Sequence, residues 1–154
     1  MGASLDLALH EARTLAGAKR AREDARRAAL RQMVLVVDDL ADVRELYRIA
    51  LRFAGFQVEE ACDGFEALEK AVALKPDGIV LDFAMPRMDG GETVRRLAAD
   101  PRTRAIPIVM ISAYAERVPQ DVRVGCAAFV EKPCSPDDLF GVIHRVIPPA
   151  HVAP

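Results

Sequence analysis

From Met33 onward, short apolar runs of strand type alternate with longer segments whose apolar residues recur at helical spacing, and this alternation restricts the fold more than any other feature. Parallel neighbouring strands need a crossover connection, and a helix supplies it, so the pattern predicts a parallel sheet with helices on both faces. Four of the runs are Met33-Val34-Leu35-Val36-Val37, Gly78-Ile79-Val80-Leu81, Ile106-Pro107-Ile108-Val109-Met110-Ile111 and Ala127-Ala128-Phe129-Val130. At their ends stand Asp38-Asp39, Asp82, Ser112 and, one residue further on, Lys132. Strand ends of one parallel sheet lie along one edge, so these residues are expected to share a pocket.

Five strand-helix units fit the pattern. The first strand is Val34 to Val37, and its helix, roughly 41–53, places Val43, Leu46, Tyr47, Ala50 and Leu51 on one stripe before Gly55 stops it. The second strand is Gln57 to Ala61; Asp63 then caps a helix with Glu66 three residues on, a capping-box arrangement. Ala67, Leu68, Ala71, Val72 and Leu74 supply its inward face up to Pro76. The third strand ends at Asp82, the third helix covers about Gly91 to Asp100, the fourth strand Ile106 to Ile111 and the fifth Ala128 to Glu131. Ser135-Pro136-Asp137-Asp138 reads as N-cap, first-turn proline and acidic first turn of the last helix, which turns Leu139, Val142, Ile143 and Val146 inward.

At 154 residues, 51% of them hydrophobic, the chain accommodates one complete core and not two. Three parts are expected: an Ala/Arg-rich helical extension over 1–32, a domain over 33–147 and a short tail over 148–154. A net charge of −2 points neither to a nucleic-acid glove nor to an acidic tail. Cys62, Cys126 and Cys134 form no CxxC pair and are odd in number, which fits reduced thiols. No apolar stretch approaches the roughly 20 residues of a membrane span, and the N-terminus lacks a secretory core, so no membrane role and a cytoplasmic location are expected. Leu5, Leu9, Ala12 and Ala16 recur at helical spacing in the extension, yet beyond Gly17 it is Arg-rich and weakly apolar, a poor helix in isolation. Met33 is an alternative translation start, which the mass of the native protein would decide.

Adjacent acids after the first strand and a third after another would repel and raise one another's pKa unless a cation intervenes. Carboxylate oxygens completed by water favour magnesium, with manganese as a substitute, over zinc. One carboxylate can also be a nucleophile, since Asp forms acyl phosphates. Asp82, alone at its strand end and central in the sheet, is the best candidate. Ser112 and Lys132 can each hold an oxygen of the transferred group.

Val36-Val37-Asp38-Asp39, the run Leu81-Asp82-Phe83-Ala84-Met85-Pro86-Arg87-Met88-Asp89-Gly90, Ile111-Ser112-Ala113 and Glu131-Lys132-Pro133 together closely resemble the response-regulator receiver domain of two-component signalling. The resemblance covers about three quarters of the chain. It implies a flavodoxin-like α/β fold, a doubly wound five-stranded sheet of order 2-1-3-4-5. It implies phosphorylation of Asp82 by a histidine kinase or histidine phosphotransfer protein. Magnesium would sit on Asp39, Asp82 and the backbone carbonyl of Ala84, with Asp38 behind a water. Lys132-Pro133 would be a cis peptide, and Ser112 and Phe129 the switch pair. A stand-alone receiver of this kind catalyses its own phosphorylation and dephosphorylation and switches protein-protein interactions with a downstream target that the residues do not name; the resemblance also allows a homodimer.

Ala84 and Tyr114 lie where side chains of such domains flank the path of hydrolytic water; Ala84 cannot activate one and Tyr114 could obstruct one, so slow self-dephosphorylation is expected. Gly91 replaces a commonly bulky residue and should loosen the entry to the third helix. The stretch from Ser112 to Lys132 is about two residues short, and Pro119 should start the helix there. The alternative is a phosphorylation-independent adaptor, against which the intact acidic set argues. A flavin carrier would want phosphate-cradling groups where Asp38-Asp39 repels phosphate, and an aspartyl phosphatase would want an acid where Ala84 stands. His10-Glu11 resembles a phosphohistidine box but lacks its proline and any following ATP-binding domain. Lys19, Arg20, Arg22, Arg26, Arg27 and Arg31 read as a solvated helix face, and nucleic acid as an unlikely partner.

Overall fold

The structure is a computed structural model and describes residues 2–29 and 32–147. Its elements are α1 (Gly2–Ala29), β1 (Met33–Val37), α2 (Ala41–Phe53), β2 (Gln57–Ala61), α3 (Gly64–Leu74), β3 (Gly78–Asp82), α4 (Gly90–Ala99), β4 (Ile108–Ser112), a 3₁₀ turn (Ala115–Arg117), α5 (Gln120–Val124), β5 (Ala128–Glu131) and α6 (Pro136–Val146). The five strands form one parallel sheet of order β2-β1-β3-β4-β5. The doubly wound α/β architecture expected from the alternation is the one observed.

The two-residue period of a strand divides the core between the sheet faces. Val34, Val36, Val80, Val109 and Ile111 face α2 and α6 and pack with Tyr47, Leu51, Leu139 and Ile143. Leu35, Val37, Ile79, Leu81 and Met110 face the other way, onto Ala67, Ala71, Val94, Leu97 and Val122 of α3, α4 and α5. The central strands β3 and β4 are buried at every position, as strands covered on both faces must be.

Helix ends follow local chemistry. Asp63 accepts from the Glu66 amide (2.8 Å), Asp89 from the Glu92 amide (2.8 Å), and Ser135 from the Asp138 amide (3.1 Å) within a complete capping box. The box expected at Asp63 is half formed, because Glu66 returns to the Cys62 amide (2.8 Å), one residue earlier. Gly55, at φ 103°, ends α2 in the left-handed region where only glycine is unstrained.

Three expectations need correction. Strand β4 begins at Ile108 and not Ile106: Pro107 has no amide to donate, and Ile106 N–H turns back to the Thr103 carbonyl (3.0 Å). Leu46 is exposed because Tyr47 and Leu51, four residues apart, already fill the narrow stripe of α2 that meets the sheet. Leu74 is exposed at the last position of α3, where Lys75 leaves the helix at φ 49°.

The extension is helical, as its composition suggested, and every side chain described along α1 is exposed, including Leu7, Leu9 and Leu15 and the cations Lys19, Arg20, Arg22, Arg26 and Arg27. Leu30, Arg31, His151 and the tail over 148–154 lie outside the described residues. Among the described residues no helix is long and apolar enough to cross a membrane, and all three cysteines are free.

Candidate functional site

The carboxyl ends of β1, β3, β4 and β5 lie side by side, and the sequence-predicted polar residues meet there. Asp38 follows β1 with its amide on the Ala61 carbonyl (3.2 Å). Its side chain accepts from the Leu40 amide (2.9 Å), while Arg44 donates to its carbonyl (2.8 Å). Asp82 closes β3, and the Phe83 amide continues the ladder to Ile111 (3.0 Å). Ser112 closes β4, accepts from the Tyr114 amide through its hydroxyl (3.1 Å), and takes the Lys132 amide on its carbonyl (2.9 Å). The Lys132-Pro133 peptide is cis.

One oxygen each from Asp38, Asp39 and Asp82 lies within 4.8 Å of the others. The Lys132 ammonium is 3.0 Å from Asp82 and 3.9 Å from Asp38. Asp38 and Asp82 are buried, at 2% and 5% exposure, while Asp39 opens to solvent. Burial pushes the carboxyl of Asp82 above its ordinary range despite the opposing Lys132 ion pair. Burial also raises Asp38, against the Leu40 amide and with the added repulsion of Asp82. Two buried carboxylates and a rim carboxylate sharing one cation hold more negative charge than Lys132 alone can balance. Three convergent hard oxygens with a solvent-facing side suit a divalent cation that keeps part of its water. The arrangement can therefore combine an anionic nucleophile, an ammonium and a metal-type oxygen cluster around one incoming group.

The remaining predicted residues fall around this pocket. Ala84 is exposed, and its backbone lies close enough to the Asp82 carboxyl to oppose slightly the rise that burial causes there. Phe129, half-buried on β5, pairs in register with Met110, two residues before Ser112, and so shares that face of the sheet. Tyr114 is exposed, with the Arg117 guanidinium 4.4 Å from its ring centre. Pro119 immediately precedes α5, which lasts only five residues. Gly91 was expected to loosen the start of α4, but that turn is held by the Asp89 cap and by the Thr93 hydroxyl on the Asp89 carbonyl (2.9 Å). His10 and His144 are exposed and distant in sequence from every strand end of the site.

Two contributors escaped the sequence reading. Gly90 donates to the Phe83 carbonyl (2.8 Å), and a Cβ there would sit 2.6 Å from the Asp82 carbonyl oxygen, so the backbone behind the pocket tolerates no side chain. Its place after Asp89 in the run Leu81–Gly90 was the available signal. Tyr47, on α2, places its hydroxyl 3.5 Å from the Cys134 thiol, and burial raises its pKa, helped by that thiol and by the charges of Asp38 and Asp82. An aromatic on an apolar stripe carries no such hint.

Comparison with known proteins agrees with this geometry. The sequence model of the response regulator receiver domain matches residues 34–144. The phosphate regulon transcriptional regulatory protein PhoB of Pseudomonas aeruginosa is 38% identical over 116 residues, 74% of this chain and 51% of that protein. The response regulator MprA of Mycobacterium ulcerans is 40% identical over 117 residues, 74% of this chain and 49% of that protein. The chain thus spans about half the length of the curated relatives it matches. Among solved structures, the Vibrio cholerae chemotaxis protein CheY4 aligns with TM-score 0.70 and 33% identity, covering 75% of this chain and 98% of that one. The receiver domain of sensor histidine kinase PA1611 from Pseudomonas aeruginosa, with magnesium in its active-site cleft, aligns with TM-score 0.70 and 26% identity, covering 75% and 97%. Motif order, strand order and the acidic cleft thus lead to one family, and this chain belongs to the response regulator receiver domains.

Proposed function

We propose that the chain accepts a phosphoryl group on Asp82 from a phosphohistidine of a histidine kinase or histidine phosphotransfer protein, and that this changes its affinity for another protein. The observation that carries the reading is the single pocket in which Asp38, Asp39 and Asp82 converge while Lys132 reaches Asp82 at 3.0 Å. An Asp82 oxygen forms the bond to phosphorus as the phosphorus–nitrogen bond breaks, and the departing imidazole keeps the electron pair and is protonated. Lys132 stands beside the nucleophile and can pair with an oxygen of the transferred group. Ser112, whose hydroxyl accepts from the Tyr114 amide and keeps its own proton, can donate to another. Asp39, Asp82 and the Ala84 carbonyl would hold magnesium, or manganese in its place, with Asp38 acting through a water. The cation supplies neutralisation of the phosphoryl oxygens facing the carboxylates. The acidic cluster and the magnesium-bound PA1611 receiver support that choice.

Ser112 and Phe129 form the proposed switch, and Ala84 with Tyr114 the proposed brake on hydrolysis. Two relatives carry names of transcription or DNA-binding regulators, so the balanced charge of this chain does not by itself set nucleic acid aside as a partner of the protein. Incubation with magnesium and a small phosphodonor, followed by intact mass, tests the reading. One phosphoryl increment is expected on the wild type, none on Asp82→Asn and none after chelation. An equal increment on Asp82→Asn would overturn it.

A further inference from the structure

We infer that Arg123 is a positioning residue for the switch, a latch that ties Phe129 to the segment following Ser112 and holds both in the resting arrangement. The inference rests on the phosphoacceptor reading above and adds to it a residue outside the four motifs.

Arg123 belongs to α5, and its side chain makes three attachments. One guanidinium nitrogen donates to the Ala115 carbonyl, Nε donates to the Val118 carbonyl (3.1 Å), and the guanidinium lies 5.5 Å from the ring centre of Phe129. A planar fork suits this task because it can bond two carbonyls and still present a face to an aromatic ring. Ala115 opens the 3₁₀ turn that follows Ser112 and Tyr114, and Val118 caps its far end, with the Val118 amide on the Ala115 carbonyl (3.2 Å). Val118 is buried in the core, Ser112 is fixed by β4, and Tyr114, Glu116 and Arg117 between them are exposed. With α5 reduced to five residues, a side chain takes over the anchoring of a turn that the helix is too short to brace.

The hydroxyl of Ser112 is engaged with the Tyr114 amide at 3.1 Å. The hydroxyl accepts there and keeps its own proton to donate, so any shift of Ser112 Oγ toward a phosphoryl oxygen pulls on the segment through the Tyr114 amide at one end. The other end is held by Arg123, which also covers Phe129. Movement of the turn and reorientation of the ring therefore draw on the same guanidinium, and the two events become one. Interactions present only in the resting arrangement lower the population competent to hold the phosphoryl group, and so lower apparent affinity by that fraction.

The test uses the full chain, with fluorinated phenylalanine incorporated and the Phe129 signal assigned through Phe129→Leu. Beryllofluoride with magnesium is the probe of the phosphoryl-bound arrangement. Arg123→Met keeps the aliphatic stem but loses fork and charge; Arg123→Lys keeps the charge and at most one carbonyl bond. Without probe, Arg123→Met is expected to speed exchange of the Val118 amide about tenfold and to move the Phe129 fluorine signal toward its probe-bound position. Its apparent affinity for beryllofluoride should tighten about three- to tenfold, with Arg123→Lys intermediate. Loss of mere packing would weaken affinity, so an unchanged or weaker affinity overturns the inference. So does a Val118 exchange rate equal to the wild type. A wild type that takes up no beryllofluoride and gains no phosphoryl mass overturns the phosphoacceptor reading instead, and the exchange measurement still decides the latch.

Discussion

Replacing Gly90 by alanine tests how tightly the backbone behind Asp82 is built. The added Cβ would lie 2.6 Å from the Asp82 carbonyl oxygen and 2.7 Å from the Phe83 Cα, both main-chain atoms of the segment that carries the proposed phosphoacceptor. Ordinary carbon contacts begin near 3.4 Å, so that segment must retreat by roughly 0.8 Å, and no rotamer change can absorb the shift. Overpacking a core by one methyl costs about 1–3 kcal/mol, and obstacles made of backbone place this site near the top of that range. Exchanging glycine for alanine in a helix returns about 0.5–1 kcal/mol, leaving a net loss of about 2 kcal/mol. For a chain of this size that lowers the melting temperature by roughly 4–8 °C. Gly91→Ala is the internal control: its Cβ would meet only side-chain atoms, at 3.2–3.4 Å, of which Val122 Cγ2 and Phe83 Cε2 can give slightly while Asp89 Oδ1 is tied to the Glu92 amide. It should melt close to the wild type and well above Gly90→Ala. Thermal unfolding by circular dichroism, with phosphoryl uptake by mass, reads both. Gly90→Ala melting level with Gly91→Ala and taking up phosphoryl normally would refute the reasoning.

Further expectations concern charge and lifetime. Lys132→Met removes the cation facing two buried carboxyls whose pKa values are raised, so their ionisation becomes more costly in the folded state. The protonated forms suit the fold and the cost develops as pH rises through the raised values; urea unfolding should show a loss of about 1–3 kcal/mol at pH 7 that shrinks near pH 4. Glu66 is held down to about 2, first by Lys70 and then by the Cys62 amide. Its contribution is present above the unfolded value of 4.5 and fades as pH falls toward 2, so Glu66→Gln should be less stable at pH 7 by up to about 1 kcal/mol and equal to the wild type at pH 2. An undiminished difference at pH 2 would contradict the assignment. Tyr114→Ser should shorten the lifetime of the phosphorylated species several-fold, measured as decay of the phosphoryl mass; an unaltered decay rules out a shielding role for the ring.

Strand-helix alternation, strand ends and caps were legible because they rest on local chemistry: apolar period, proline and glycine placement, and Ser/Asp side chains that find an amide two or three residues on. The meeting of Asp38, Asp82 and Lys132 followed from one geometric rule about parallel sheets. Other residues were not legible because their roles depend on neighbours distant in sequence. Gly90 matters through the main chain of Asp82, and Arg123 through two carbonyls and a ring that only the folded turn brings within reach. Leu46 and Leu74 were misplaced for a related reason: helical spacing names a stripe, but the width of that stripe is set by how much sheet remains to be covered.

The reactive groups hang from the rim of one hydrogen-bonded sheet, and their anchors are main-chain rungs: Asp38 to Ala61, Phe83 to Ile111, Lys132 to Ser112. The outward faces of the helices take no part in those rungs. On the phosphoacceptor reading proposed above, that exterior could be recarved to suit new recipients while the chemistry at the rim stayed unaltered, which would make the domain a reusable component for different circuits.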